Sequence, residues 1–247
     1  MKTVLITGCS SGYGLESARR FHTEGWNVIA TMRDPQKSVL KPAERLRVLP
    51  LDVTDADSIA AAVEASGAVD ALVNNAGIGG IGAFEAMPLS TAREMFETNI
   101  LGTMAVTQAF LPLLRKRAPS VIVNVSSSVT LATMPLVAVY RSTKMAVEGF
   151  TSTLALELED LGVRVKLVEP GYCPTTAFTK NSEPRMKNNI PDAYAPFAQR
   201  VFGAFTQQSV VTKESDVAEV IYRAANDTSN QLRFPAGPDA MALFNAR

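Results

Sequence analysis

Histidine is almost absent from this sequence, with His22 the single imidazole in 247 residues. That scarcity removes the Ser-His-Asp triad and most zinc schemes, because each needs imidazole as base or ligand. His22 itself falls on the first predicted helix and reads as a surface or packing residue. Cysteine is nearly as scarce. Cys9 and Cys173 lie far apart and match no metal-ligand or redox spacing, so they read as free thiols in a reducing compartment, and no metal is expected. Charge of one sign is also lacking: 24 basic residues balance 24 acidic ones, which leaves nothing to draw in nucleic acid or an anionic membrane. The local cluster Arg115-Lys116-Arg117 reads as a solvated helix end. No apolar run approaches the roughly 20 residues of a membrane helix, and Met1-Lys2-Thr3 leads straight into an apolar strand without the pattern of a signal peptide. The expectation is a cytoplasmic protein with no nucleic-acid and no membrane partner.

What is present is a regular alternation. Apolar residues make up 47% of the chain and charged ones 19%, an ordinary balance for a packed globule. Short β-branched runs alternate with longer stretches of helical period, the pattern of a parallel sheet covered by helices on both faces. Strands are predicted at Thr3 to Thr7, Asn27 to Thr31, Arg47 to Leu51, Ala71 to Asn74, Val121 to Val125 and Arg164 to Val168. Several are apolar almost throughout, as strands buried on both faces should be. Helices are predicted near Gly14 to Glu24, Ala56 to Ser66, Thr91 to Lys116, Tyr140 to Leu161 and Ser215 to Asn226, with Asp55 and Ser90 as N-caps. No repeat or linker interrupts the pattern. Residues 1–247 therefore read as one α/β domain, a doubly wound parallel sheet of about seven strands in a three-layer α/β/α sandwich. The stretch from Tyr172 to Thr212 lacks a strong period and carries Phe178, Met186, Tyr194, Phe197, Phe202 and Phe205. It reads as a substrate-binding insertion, with a poorly patterned helix pair as the alternative.

The first strand ends in Thr7-Gly8-Cys9-Ser10-Ser11-Gly12-Tyr13-Gly14, just before a helix. Glycines there let the backbone turn tightly and approach phosphates, while the helix N-terminus offers free N–H donors, so this is where a dinucleotide pyrophosphate would dock. The turn is followed by Asn74-Asn75-Ala76-Gly77 at a strand end, Asn99 within a long helix, Ser126-Ser127-Ser128 after another strand and Tyr140-Arg141-Ser142-Thr143-Lys144 opening a helix. Tyr140 and Lys144 are four apart, so they share one helix face. A phenol has a reference pKa of about 10, too high for an efficient proton shuttle near neutrality, and a nearby ammonium is expected to lower it.

Together these pieces resemble the short-chain dehydrogenase/reductase family, in its single-domain Rossmann-like form, through Pro170-Gly171 and Thr175 and only vaguely after Phe178. The resemblance implies that Tyr140 exchanges the substrate proton, that Lys144 holds the nicotinamide ribose, and that Ser127, thirteen residues before Tyr140, bonds the carbonyl oxygen. It implies that Asn99 helps hold a relay water. It also implies that Asp52 and Val53 contact adenine, with Asn75, Ala76 and Gly77 beside the cofactor. Asn74 matches a sheet-stabilising or adenine-ribose position, Cys173 and Pro174 follow Pro170-Gly171 beside the nicotinamide, and Thr175 is placed to bond the carboxamide.

At the end of the second strand stands Met32-Arg33-Asp34 where an NAD-preferring relative carries aspartate. Arginine welcomes a 2′-phosphate, so NADP(H) is the preferred cofactor, with Ser11 as a second phosphate ligand. NAD(H) stays possible, because Asp34 could pair with Arg33 instead. Arg141, Thr143 and Thr130 depart from the family pattern without removing a reacting group. The expected reaction is hydride transfer between NADP(H) and a small ketone or secondary alcohol, which the aromatic loop suggests is hydrophobic. A β-ketoacyl thioester reductase, a sugar-nucleotide epimerase and a catalytically silent cofactor sensor are the other readings. By resemblance the helices from Thr91 and Tyr140 would pair into a homodimer or homotetramer; Ala105, Ala109, Ala146, Ala155 and Leu156 supply faces that intrachain packing explains equally well.

Overall fold

A computed structural model of the chain describes residues 1–206 and 210–246. Seven parallel strands form one sheet in the order β3-β2-β1-β4-β5-β6-β7. They are β1 (Thr3–Ile6), β2 (Asn27–Met32), β3 (Leu46–Pro50), β4 (Ala71–Asn74), β5 (Ser120–Val125), β6 (Val163–Pro170) and β7 (Arg233–Ala236). Six match the predicted runs within two residues at either end. The seventh is four residues long and contains Pro235, so it carries little pattern; a sheet edge is where proline is tolerated.

Strand periodicity explains the layers. Val4 and Ile6 of β1 point to one face and Leu5 to the other, and all three have no exposed surface. Val4, Ile6, Val73 and Val123 join a core with Phe21 of α1 (Gly12–Thr23) and Ile221 of α8 (Glu214–Asn226). Leu5, Leu72 and Ile122 join a second core under α2 (Ala56–Ser66), α4 (Gly102–Lys116) and α5 (Ala138–Leu158). Burying each such Leu, Ile or Phe side chain is worth about 1.5–3 kcal/mol, so both faces must be covered. No helix among the described residues is long and apolar enough to cross a membrane.

The long helix expected from Thr91 to Lys116 is divided into α3 (Leu89–Phe96), a π-turn over Glu97–Leu101, and α4. Ser90 is not its N-cap: Pro88 holds that position with φ −59°, and Ser90 lies inside the first turn. Asp55 does cap α2, its carboxylate accepting from Ser58 N at 2.8 Å. Helix α5 places Val139, Thr143, Val147, Thr151, Leu154 and Leu158 on its buried side, and after a 3₁₀ turn the chain leaves through Gly162 at φ +67°. The segment after Tyr172 forms two helices, α6 (Phe178–Ser182) and α7 (Ala195–Thr206), joined by short turns. Residues 207–209 of the expected insertion lie outside the described residues. The C-terminal α9 (Pro238–Asn245) follows β7.

Strand order reverses between β1 and β4. At such a reversal, the loops leaving the C-terminal strand ends diverge and open a crevice. The candidate site is built there.

Candidate active site

The crevice is a cleft of about 820 Å³, walled by Ser10, Ser11 and Gly12 after β1, Met32 and Arg33 at the end of β2, Asp52 and Val53 after β3, and Ala76 and Gly77 after β4. Its glycines are dictated by close approach. A Cβ on Gly14 would fall 2.4 Å from the Gly8 carbonyl oxygen, and one on Gly8, at φ +74°, would fall 2.9 Å from Ala76 Cα. Thr7 and Asn75 lock the turn. Thr7 Oγ1 accepts from Asn75 N at 3.0 Å and Ala76 N at 2.9 Å, while Asn75 Nδ2 donates to the Thr7 carbonyl at 2.8 Å. Ser11 is the N-cap of α1 without a side-chain cap bond, and no acidic residue sits in the first turn. This end of α1 suits an anion, so a pyrophosphate-bearing dinucleotide fits the cradle.

Tyr13 reaches across the cleft mouth and donates from its hydroxyl to the Gly171 carbonyl at 3.2 Å. Pro170 ends β6, and Gly171 sits where a Cβ would meet Asp239 Oδ1 at 2.0 Å. Asp239 of α9 accepts from Tyr172 N at 2.6 Å and so pins this loop. Cys173 is buried with Sγ 3.3 Å from Thr175 Oγ1, and Thr175 donates to Glu214 at the start of α8 at 2.9 Å. A hydroxyl whose proton goes to a carboxylate keeps its lone pairs for an amide donor.

At the sheet's ridge, β5 leads into the serine loop and α5 returns over it. Ser127 lies near enough to Tyr140 to favour its ionised form, and Lys144 Nζ donates to the Val125 carbonyl at 3.0 Å. Burial pushes the Tyr140 phenol up to about 12 against the smaller opposing effect of Ser127. Burial pulls Lys144 down to about 8. The expectation that the lysine acidifies the phenol is therefore corrected for this arrangement: the ammonium nitrogen stands 6.0 Å from the Tyr140 ring centroid, and desolvation disfavours both charged forms.

The three departures from the family pattern all hold the site. Thr143 Oγ1 accepts from Asn99 Nδ2 at 2.9 Å, Thr130 Oγ1 donates to the Ser127 carbonyl at 2.6 Å, and Arg141 Nε donates to the Val129 carbonyl at 2.8 Å. Asn99 is buried in the π-turn, and its amide also brackets Ile78, accepting from N and donating to O at 2.8 Å each. Both amide protons are spent, so the side chain is a tether between α5 and the loop after β4.

Beyond β2, Asp34 is taken by Lys37 at 3.0 Å and accepts from Gln36 N, so it does not neutralise Arg33. Arg33 is exposed in the cleft. Burial works against ionisation of Asp52, yet two hydrogen bonds from Thr54 and the nearby Arg33 guanidinium hold its carboxyl below the ordinary range. Arg185, which sequence reading missed, donates Nε to Glu94 of α3 at 3.0 Å, and Phe178, expected only as one of the aromatics of the insertion, meets Tyr140. These partners lie far apart in the chain and have no motif, so no local signal marks them. Tyr140 packs into a buried apolar cluster with Met87, Met95, Val129, Val137 and Val139. Among the described residues no group of three His, Cys, Asp or Glu is placed to hold a metal ion.

A family profile described as short chain dehydrogenase matches residues 2–187. The chain is 34% identical over 250 residues to the uncharacterized oxidoreductase YusZ of Bacillus subtilis, covering 96% of this chain and 89% of that one. It is 34% identical over 255 residues to retinol dehydrogenase 8 of Bos taurus, covering 94% of this chain and 80% of that one. Among solved structures, a short-chain dehydrogenase from Streptomyces avermitilis superposes with a TM-score of 0.82 at 28% identity, covering 99% of this chain and 91% of that one.

Proposed function

The chain belongs to the short-chain dehydrogenase/reductase family, and from that premise we propose that it is an NADP(H)-dependent oxidoreductase of hydrophobic ketones or secondary alcohols. The observation that carries this is the meeting of Ser127, Tyr140 and Lys144 at the edge of a glycine-lined dinucleotide cleft. A bound nicotinamide dinucleotide supplies or accepts the hydride. Everything else falls to the chain's own groups. Ser127 and the Tyr140 hydroxyl donate to the carbonyl oxygen, where negative charge builds up during reduction. Tyr140 then gives that oxygen its proton, and it takes the proton back in alcohol oxidation. Burial keeps the phenol protonated at neutral pH in the protein alone, so Tyr140 starts reduction with its proton in place.

Arg33, exposed and free of Asp34, supports the phosphorylated cofactor; Ile78 and Phe178, which line the cleft where Phe178 meets Tyr140, support an apolar substrate, as does the likeness to a retinol dehydrogenase. A scan of aryl ketones, steroids and acetoacetyl thioesters with NADPH and NADH tests both. NADPH consumption with hydrophobic ketones is expected, and Arg33→Asp should lower the NADPH-over-NADH preference by about tenfold or more. Oxidation of polyols with NADP⁺ and no turnover of any hydrophobic ketone would refute the reading.

We also infer that a second copy of the chain covers the outer faces of α4 and α5. Leu101, Met104, Met145 and Leu156 are exposed there, Leu156 at 75%, with the open backbone of Gly149 between them. Ala105, Ala109, Ala146 and Ala155 are half-buried against their own core, so the exposed apolar residues and not the alanines mark this face.

A further inference from the structure

Phe178, the first residue of α6, stands against the Tyr140 ring with centroids 5.4 Å apart and planes inclined at 55°. On its other side it rests on Gly79, where a Cβ would fall 2.2 Å from Cζ of the phenyl ring. Any larger residue at 79 would push the ring off, so the loop after β4 supplies a seat. The seat is held from outside by Arg185, which bonds both Glu94 of α3 and the Asn181 carbonyl at 2.9 Å. With the ring in place Tyr140 is only 9% exposed, while Phe178 itself remains 37% exposed. A phenyl group that wet contributes little to a core. Its position beside the reacting hydroxyl asks for another account.

We propose that Phe178 is a specificity-determining residue: its ring closes the approach to Tyr140, and the volume of the side chain at 178 sets which carbonyl compounds reach the phenol. The consequence for turnover rests on the oxidoreductase reading given above; the seating does not. A flat, narrow ketone can pass beside the ring, whereas a branched one requires it to leave Gly79. If Phe178 merely packed the cover, its loss would lower stability and leave selectivity alone.

The test uses the full-length protein as Phe178→Ala, Phe178→Leu and Gly79→Ala. The first measurement is nitration of Tyr140 by tetranitromethane, followed by peptide mass spectrometry, in protein without dinucleotide. Tyr140 should be protected in the parent and modified about tenfold faster in Phe178→Ala and Gly79→Ala. The second is the ratio of kcat/KM for a branched aryl ketone over a small methyl ketone with NADPH. That ratio should rise about tenfold in Phe178→Ala and less in Phe178→Leu. Gly79→Ala should shift it in the same direction, and adding Gly79→Ala to Phe178→Ala should change it no further. Nitration needs no turnover, so loss of the oxidoreductase reading and loss of this one are told apart. An unchanged nitration rate in Phe178→Ala, or a selectivity ratio that stays at the parent's value, overturns the proposal.

Discussion

Lys144 shows how burial at the site is tied to stability. Its folded pKa is held near 8 against the ordinary 10.5 of a lysine because the ammonium is desolvated. A depressed pKa means the unfolded chain binds the proton more tightly. The favourable contribution is full above pH 10.5, is lost as pH falls toward 8, and leaves a nearly constant cost below that. The cost is roughly 3 kcal/mol at pH 7. Removing the amine also forfeits its bond to the Val125 carbonyl, worth about 1 kcal/mol. Lys144→Met should therefore unfold at higher denaturant at pH 7, by about 2 kcal/mol, with the gain gone by pH 10. A variant less stable than the parent at pH 7 would contradict this. Residues whose type is forced by their own position, such as Gly8, Gly14 and the Tyr140/Lys144 pair, were legible in the sequence. Thr143, Thr130 and Arg141 showed only as unusual choices, because their partners are a buried amide and two backbone carbonyls that folding brings to them. The phenol's raised pKa was likewise hidden, since it depends on what covers it.

At the scale of elements, the π-turn between α3 and α4 is the piece the sequence pattern could not separate. Hydrophobic period runs on through it, so one helix was expected from Thr91 to Lys116. The inserted residue turns Asn99 inward, where it joins the loop after β4 to α5 and so sets the distance between the dinucleotide cleft and the catalytic helix. Asn99→Leu leaves the half-buried Ile78 amide and carbonyl without their partner, at a cost of about 2–4 kcal/mol. Thr143→Val removes one bond of the same set, and the double variant should be less destabilised than the sum of the two single ones. Thermal unfolding of the three variants checks this; strict additivity would show that the tether does not act as a unit. Helices α6 and α7 were legible only as the alternative reading, a poorly patterned helix pair, since their aromatic residues pack partly on the cover and partly face outward, which blurs the period.

For the whole molecule, the doubly wound sheet was readable because its central strands are buried on both faces and announce themselves as apolar runs. Strand β7, short and interrupted by Pro235, and α9 behind it carry no such signal, although Asp239 of α9 fixes the loop at the cofactor end. The exposed apolar face of α4 and α5 belongs to this scale as well. Light scattering should give a mass at least twice the 26.5 kDa of the chain, and Met145→Glu with Leu156→Asp should reduce it toward the monomer. A parent protein that runs as a monomer at micromolar concentration would remove the inferred second copy.

All of these pieces converge on one phenol as the proton donor. The most direct measurement compares hydride transfer from NADPH to a hydrophobic ketone in the parent and in Tyr140→Phe, with dinucleotide affinity measured alongside. Transfer should fall by about a hundredfold or more while cofactor affinity stays close to the parent's; a variant that reduces the ketone as fast as the parent would contradict the account.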